Sequence, residues 1–381
     1  MTIPSSAPQI TGCLALVTGL ALLGGCGGYN SGGMHTTTTT QIISGALLPT
    51  LTTITTIGST LDPTEHGGNP YGLTVATATA GLITAGDLIV CNFNDGNTNT
   101  QGLGTTVIGL HAAAGATPYR IAQSVDLLGC SAVTSLADGN ILATGSQANA
   151  VALITPTGVV STPFSSDVFA EPWGAIDATH SSAEAVYVSN AQTGSIDRIA
   201  LSGGSQTSFT EIASGFSSNQ GRPGSISGPA GLTYDASNDT LYVVDTNANR
   251  VVALMNVSSI GADGVVVAGN GFAGAQAGSA KVIVSGAPLN GPISGTLLVN
   301  GDIIVGNTLD ANGTNLLIEI SPTSGVVATK NVDTGAAGAI FGIVAVPKTV
   351  TTMGTYTTTN TQTDVIYFND DNDNTVKLLV Q

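Results

Sequence analysis

The stretch "SGPAGLTYDASNDTLYVVDTNANRVVAL", residues 227–254, constrains the fold more than any other. It opens on a Pro-x-Gly entry and carries two β-rich runs with a polar turn between them. The same grammar returns along the chain. "NPYGLTVA" at 69 leads to "GDLIVCNFNDGN", "GCSAVTSL" at 129 to "GNILATGSQANAVALITPTG", and "EPWGAIDA" at 171 to "AVYVSNAQTGSIDRIAL". "NGPISGTLLV" at 290 leads to "GDIIVGNTLDANGTNLLIEISPTSG", and "IFGIVAV" at 340 to "DVIYFNDDNDNTVKLLV". The marker positions Gly72, Ser131, Gly174, Gly231, Gly295 and Gly342 stand 43 to 64 residues apart.

Each interval holds short strands separated by Gly, Asn and Asp turns, with no convincing amphipathic helix. Leu241, Val243 and their partners give apolar faces that a lone sheet cannot bury. Stacking sheets radially hides both faces and leaves only short edges. Repeats of roughly 40–50 residues with four strands each are the signature of a β-propeller. The chain is therefore expected to form an all-β, six-bladed β-propeller over 50–381. The ring closes if "TLTTITTIG", 50–58, supplies the outer strand of the last sheet. A parallel β-solenoid is the alternative, but its repeats should be shorter and more regular.

"GPAGLTYDASNDTLYVVDTNANRVV" resembles an NHL repeat, and "VVVAGNGFAGAQAG" with "APLNGPISG", within 265–295, resembles the linker and next-blade entry of bacterial NHL propellers. The second copy departs from the pattern, with Ser131 for Gly and Gly145 for Asn or Asp. The resemblance implies loop surfaces presented to partners.

The 24 acidic residues outnumber the 8 Lys and Arg, for a net charge of −16. Such a surface repels nucleic acid and anionic headgroups, which excludes both as partners. Few bases also mean little positive self-repulsion once the carboxylates are neutralised, as would suit an acidic surrounding. The apolar run at 13–25, ending "LLGGC", fits a signal peptide over 1–25 and is too short to span a bilayer. It resembles a bacterial lipobox, with Cys26 lipidated, although no Lys or Arg precedes the run. Residues 26–49 read as a Gly/Thr-rich flexible tether. The protein is thus expected to be an extracytoplasmic, membrane-anchored lipoprotein of the outer membrane or envelope. Cys91 and Cys130 remain after the leader, at the same end of adjacent repeats, and are a disulfide candidate in an oxidising compartment.

Asn92, Asn190, Asp245, Asn307 and Asn369 close the second strands, so a propeller gathers them on one face with Trp173 and Phe341 from the entries. They would ring a funnel at the channel mouth, or each would simply cap its own turn. Lactonase-like six-bladed propellers hold one divalent cation with converging Glu, Asn and Asp. By position the corresponding residues are Glu65, Glu171, Asn190 and Asp245, without the family's leading Glu-Gly-Pro. "NDDNDN", 369–374, begins like a Ca²⁺ loop but lacks its Gly and closing Glu. "GNGFAG", 269–274, matches the dinucleotide fingerprint without the helix that must follow. No cofactor is expected beyond that cation. The sequence reading is a non-catalytic binding or scaffold protein taking a protein, peptide or small ligand at the channel mouth. A metal-dependent lactonase- or lyase-like enzyme and a structural cell-surface component are its alternatives.

Overall fold

A computed structural model describes residues 37–381 other than 165, 220–227, 309–314, 337 and 356. The signal peptide over 1–25 and Cys26 lie outside the described residues. The described residues form six sheets, each with at least four strands. The first is built from Pro70–Val75, Leu88–Asn94, Gln101–Leu110 and Tyr119–Gln123, in that order from the axis outward. The innermost strands of the others are Cys130–Ser135, Pro172–His180, Pro229–Asp235, Pro292–Leu297 and Ile340–Met353. Each packs against the innermost strand of the next sheet, and the last packs against the first. The sheets therefore stand in a closed ring, the arrangement of a β-propeller.

Alternation along the strands explains why the ring is needed. Leu241 and Val243 point into the core shared with the preceding sheet, while Tyr242 and Val244 point into the core shared with the following one. Leu88 and Val90 oppose Ile89 and Cys91 in the same way. A separate apolar cluster fills each junction between neighbouring sheets, including the junction of last and first.

The closing strand is Thr53–Ser59, which pairs antiparallel with Thr375–Val380 at the outer edge of the last sheet. The expected tether is corrected over its second half. Thr37–Ile42 is a strand paired in parallel with residues 357–362, on a hairpin formed by Ile340–Met353 and Thr357–Asp370. A run of threonines is β-branched and favours that extended pairing over a loose coil. Leu47, Leu48 and Leu51 are fully buried in the junction of the fifth and last sheets. The buried Glu319 carboxylate accepts the Leu47 and Leu48 backbone N–H groups at 2.7 and 2.8 Å, satisfying donors at the start of the 3₁₀ turn Leu48–Thr50.

The marker glycines sit where neighbouring inner strands approach most closely. A Cβ on Gly174 would lie 2.4 Å from the Ala230 carbonyl oxygen, and one on Gly342 would lie 2.7 Å from that of Tyr71. Ser131 takes the same slot in the second sheet and uses its side chain there: Oγ donates to the Trp173 carbonyl at 3.0 Å. Cys91 and Cys130 are joined by a disulfide across the first and second sheets, 39 residues apart in sequence.

The "GNGFAG" segment is a hairpin of Val265–Ala268 and Gly271–Ala273, followed only by the 3₁₀ turn Ala277–Ser279. The hairpin extends the third sheet, with Ala213 opposite Val265 in parallel register. Burial of Ile260 and Val265 between the third and fourth sheets draws it there.

Candidate functional site: the mouth of the channel

All six inner strands begin with a register shift against their second strand, between Pro70/Gly72, Cys130/Ala132, Pro172/Gly174, Pro229/Leu232, Pro292/Ser294 and Ile340/Ile343. A bulge re-aims the extra residue. Here the residues after the strand's first position turn toward the axis at one end of the ring. Tyr71, Trp173, Ala230, Ile293 and Phe341 meet Phe93 and Ala191 in one buried cluster. The Tyr71 ring stacks on Phe93 and Phe341 with centroids 4.2 and 4.1 Å apart, and Trp173 meets Tyr71 edge-on at 5.7 Å. This aromatic plug closes the mouth. Below it a cavity of about 90 Å³ follows the axis, walled by inner-strand backbone at Gly72, Gly174, Gly231 and Gly342.

The amides and the carboxylate expected around the funnel do lie at this end, since Asn92, Asn190, Asp245 and Asn307 pair with Pro70, Pro172, Pro229 and Pro292. They face the protein and are fully or almost fully buried. Asn190 accepts the Ala170 N–H at 3.1 Å and donates to Asp197. Asn307 accepts the Asn290 N–H at 2.9 Å and donates to the Pro288 carbonyl at 2.7 Å. Asn92 donates to the Thr60 carbonyl at 3.0 Å. Asn369 reaches from the last sheet to the first, donating to the Pro70 and Gly72 carbonyls at 3.0 and 3.1 Å. These side chains brace entry loops and the closure of the ring. Trp173 and Phe341 belong to the plug and are almost wholly buried.

The four cation candidates are not brought together. Asp245 receives the Arg250 guanidinium through Nε at 2.9 Å and Nη2 at 2.7 Å. Glu171, buried with a left-handed backbone (φ 56°), accepts from the Gln147 and Asn219 amides. Asn190 is engaged as described, and Glu65 is exposed and accepts from Gln123. Among the described residues no group of three His, Cys, Asp or Glu could hold a metal ion. In the "NDDNDN" turn the Lys377 ammonium pairs with Asp370 and Asp373, at 2.5 and 3.1 Å, and the Asn369 amide is spent on the Pro70 and Gly72 carbonyls, so two of the three alternating ligands are already engaged. These residues do not fit a resident divalent cation.

What remains over the plug is a small polar group that the sequence reading missed. Tyr71 is buried, and its hydroxyl has no hydrogen-bond partner among the described residues. Burial, with the Asp371 charge beside it, pushes the phenol well above the usual tyrosine range, while the Asn69 amide works against the shift. Burial, then the neighbouring Asp370 carboxylate, pushes the half-buried Asp371 up to about 6. Asn69 holds a left-handed backbone (φ 56°), and its N–H donates to the Asn374 side chain at 2.8 Å. The entry loop of the first sheet is thereby tied to the turn that carries Asp371. Three aromatics following or facing strand entries, at 71, 93 and 341, were the available sequence signal.

No family model matches the chain, and no curated protein matches it either. Solved structures do. A gluconolactonase from Xanthomonas campestris superposes with a TM-score of 0.53 at 10% identity, covering 86% of this chain and 89% of that one. A virginiamycin B lyase from Staphylococcus aureus gives 0.50 at 14% identity, covering 86% and 99%. A calcium-binding regucalcin from Agrobacterium tumefaciens gives 0.50 at 16% identity, covering 85% and 93%. At these identities the likeness establishes the propeller fold alone. The expectation of a non-catalytic scaffold that binds through its channel-mouth face is corrected here. Propellers of this fold that the chain matches include a lyase and a gluconolactonase, and the supposed binding ring is turned inward beneath a closed aromatic plug.

Proposed function

We propose that the chain is a six-bladed, NHL-like propeller enzyme of lactonase or lyase type, with its site over the aromatic plug and Asp371 as the group that moves a proton. The observation that carries this reading is a half-buried carboxyl perturbed toward neutrality, Asp371, whose charge acts on the buried Tyr71 phenol over the plug. A group poised near the working pH is the one best able to take up and return protons. Above about pH 6 Asp371 is a base able to accept a proton from a carbon acid or an attacking water; below it the same group is an acid. The turn that carries Asp371 is tied to the first sheet's entry loop through Asn374 and Asn69, and the plug supplies an apolar floor for a small ester or lactone. No step runs through a metal. The Cys91–Cys130 disulfide supports an extracytoplasmic setting.

The test is a hydrolysis and elimination screen on small lactones and esters, comparing wild type with Asp371→Asn and Tyr71→Phe. Loss of turnover in Asp371→Asn with an unchanged melting temperature supports the reading. Equal turnover in that variant refutes it.

A further inference from the structure

A second cavity, of about 200 Å³, opens between the third and fourth sheets, away from the channel mouth. Its walls include Tyr187, Arg198, Tyr234, Ala185, Ala200 and His180. The register explains the composition. Tyr187 lies opposite Arg198, and Ala185 opposite Ala200, so these side chains share one face of the third sheet. Glu184 also borders the cavity, but its side chain alternates toward the other face, where its carboxylate accepts the Gly204 N–H and adjoins Asp177. The carboxylate of Asp239 stands behind the wall and is already engaged by the Tyr234 hydroxyl at 3.1 Å and the Ser258 hydroxyl at 2.6 Å.

Arg198 is therefore unusual in this acidic chain. It enters no ion pair among the described residues. One nitrogen, Nη1, donates to the carbonyls of Ser258 at 2.7 Å and Ile260 at 2.9 Å. The rest of the guanidinium faces the Tyr187 phenol and the cavity. A guanidinium held by turn carbonyls and by the Tyr187 hydroxyl, and lining the cavity, is preorganised for a planar anion. The Tyr187 and Tyr234 rings lie 6.3 Å apart and near parallel, beside a floor of alanine methyl groups. At the rim, the hairpin after His180 turns through Ser181 and Ser182, both left-handed at φ 48° and 74°. Two-residue hairpins of that kind favour Asn and Gly, so serines there hold strain of the sort that collects at binding sites.

We propose that this cavity binds a small carboxylate with a flat apolar body, its anion on Arg198 and its body between the tyrosines and the alanine floor. The site is separate from the channel mouth and does not depend on the reading given above. Calorimetry with benzoate and its neutral counterpart benzamide tests it, with ¹³C-methyl spectra reporting on Ala185 and Ala200. Benzoate is expected to bind at least about tenfold more tightly than benzamide, the scale of one charge-assisted hydrogen bond, and to move both methyl signals. Arg198→Gln should lose about that factor. Because Arg198 also clips the turn at 257–260, Ala200→Leu provides a second variant that keeps the clip and fills the floor, and it too should lose affinity. Equal binding of the two probes, unmoved methyl signals at millimolar benzoate, or full affinity in Ala200→Leu would each overturn the proposal.

Discussion

Acidification should strengthen this fold rather than weaken it, and Asp197 is where the effect is largest. Asp197 is 1% exposed. Burial pushes its carboxyl up to about 7, Glu211 adds to the shift, and the Asn190 amide opposes it. An unfolded aspartate titrates near 3.9. A folded value above the unfolded one means that the folded state holds the proton more tightly. The stabilisation is then fully present below about pH 4 and is lost as pH rises through 7. A gap of about three units corresponds to about 4 kcal/mol, nearly all of which should disappear between pH 4 and 8. Asp371, Glu211, Glu319, Asp364 and Asp370 are also raised, with burial the main cause, and act in the same direction. Asp62, Asp95 and Asp235 are lowered by hydrogen bonds that outweigh their burial, so their contribution is lost only as pH falls below the unfolded range. Urea midpoints from pH 4 to 8 measure the balance. Wild type should be most stable near pH 4–5, and Asp197→Asn should flatten the decline by about 4 kcal/mol. Stability that climbs steadily from pH 4 to 7, or an unchanged slope in Asp197→Asn, would refute the reasoning.

Other expectations follow from the bracing of the ring. Converting Cys91 and Cys130 to alanine opens a loop of about 40 residues and should lower stability by about 2–4 kcal/mol, read as a shift in urea midpoint relative to the oxidised protein. Asp245→Ala strands the buried Arg250 guanidinium and should cost about 3–5 kcal/mol, without changing metal content by elemental analysis. Glu319→Gln keeps one acceptor for two backbone donors and should cost about 1–3 kcal/mol, with faster amide exchange at Leu47 and Leu48 than at the Leu241 core.

The repeat was legible because its information is local. Pro at a strand entry, alternation in "TLYVVD" and a polar turn after Asp245 each reflect neighbouring residues. Strand 53–59 as the closing strand and the Cys91–Cys130 pair followed once the copies were laid in register, since register fixes which ends share a face. The plug was half legible. Trp173 and Phe341 stood out at entries, but Tyr71 and Phe93 read as ordinary strand residues, although the bulge at Pro70/Gly72 and the irregularity at Asn92/Asn94 bring both into the plug. The asparagines pointed the wrong way for a related reason. Pairing places a residue at the mouth but does not decide whether its amide meets solvent or the Thr60 carbonyl. Thr37–Ile42 looked like tether because its partner, 357–362, lies at the far end of the chain. Arg198 carried no signal, since its meaning depends on a fourth sheet beside it and on every nearby acid being engaged elsewhere.

The most direct test of the account is the pH–rate profile of Asp371→Asn beside wild type on a lactone or ester that wild type turns over. The account predicts a wild-type limb near pH 6 that vanishes with activity in the variant, at unchanged melting temperature. A variant that keeps both rate and limb, or a wild type that turns over no member of the panel, would contradict it.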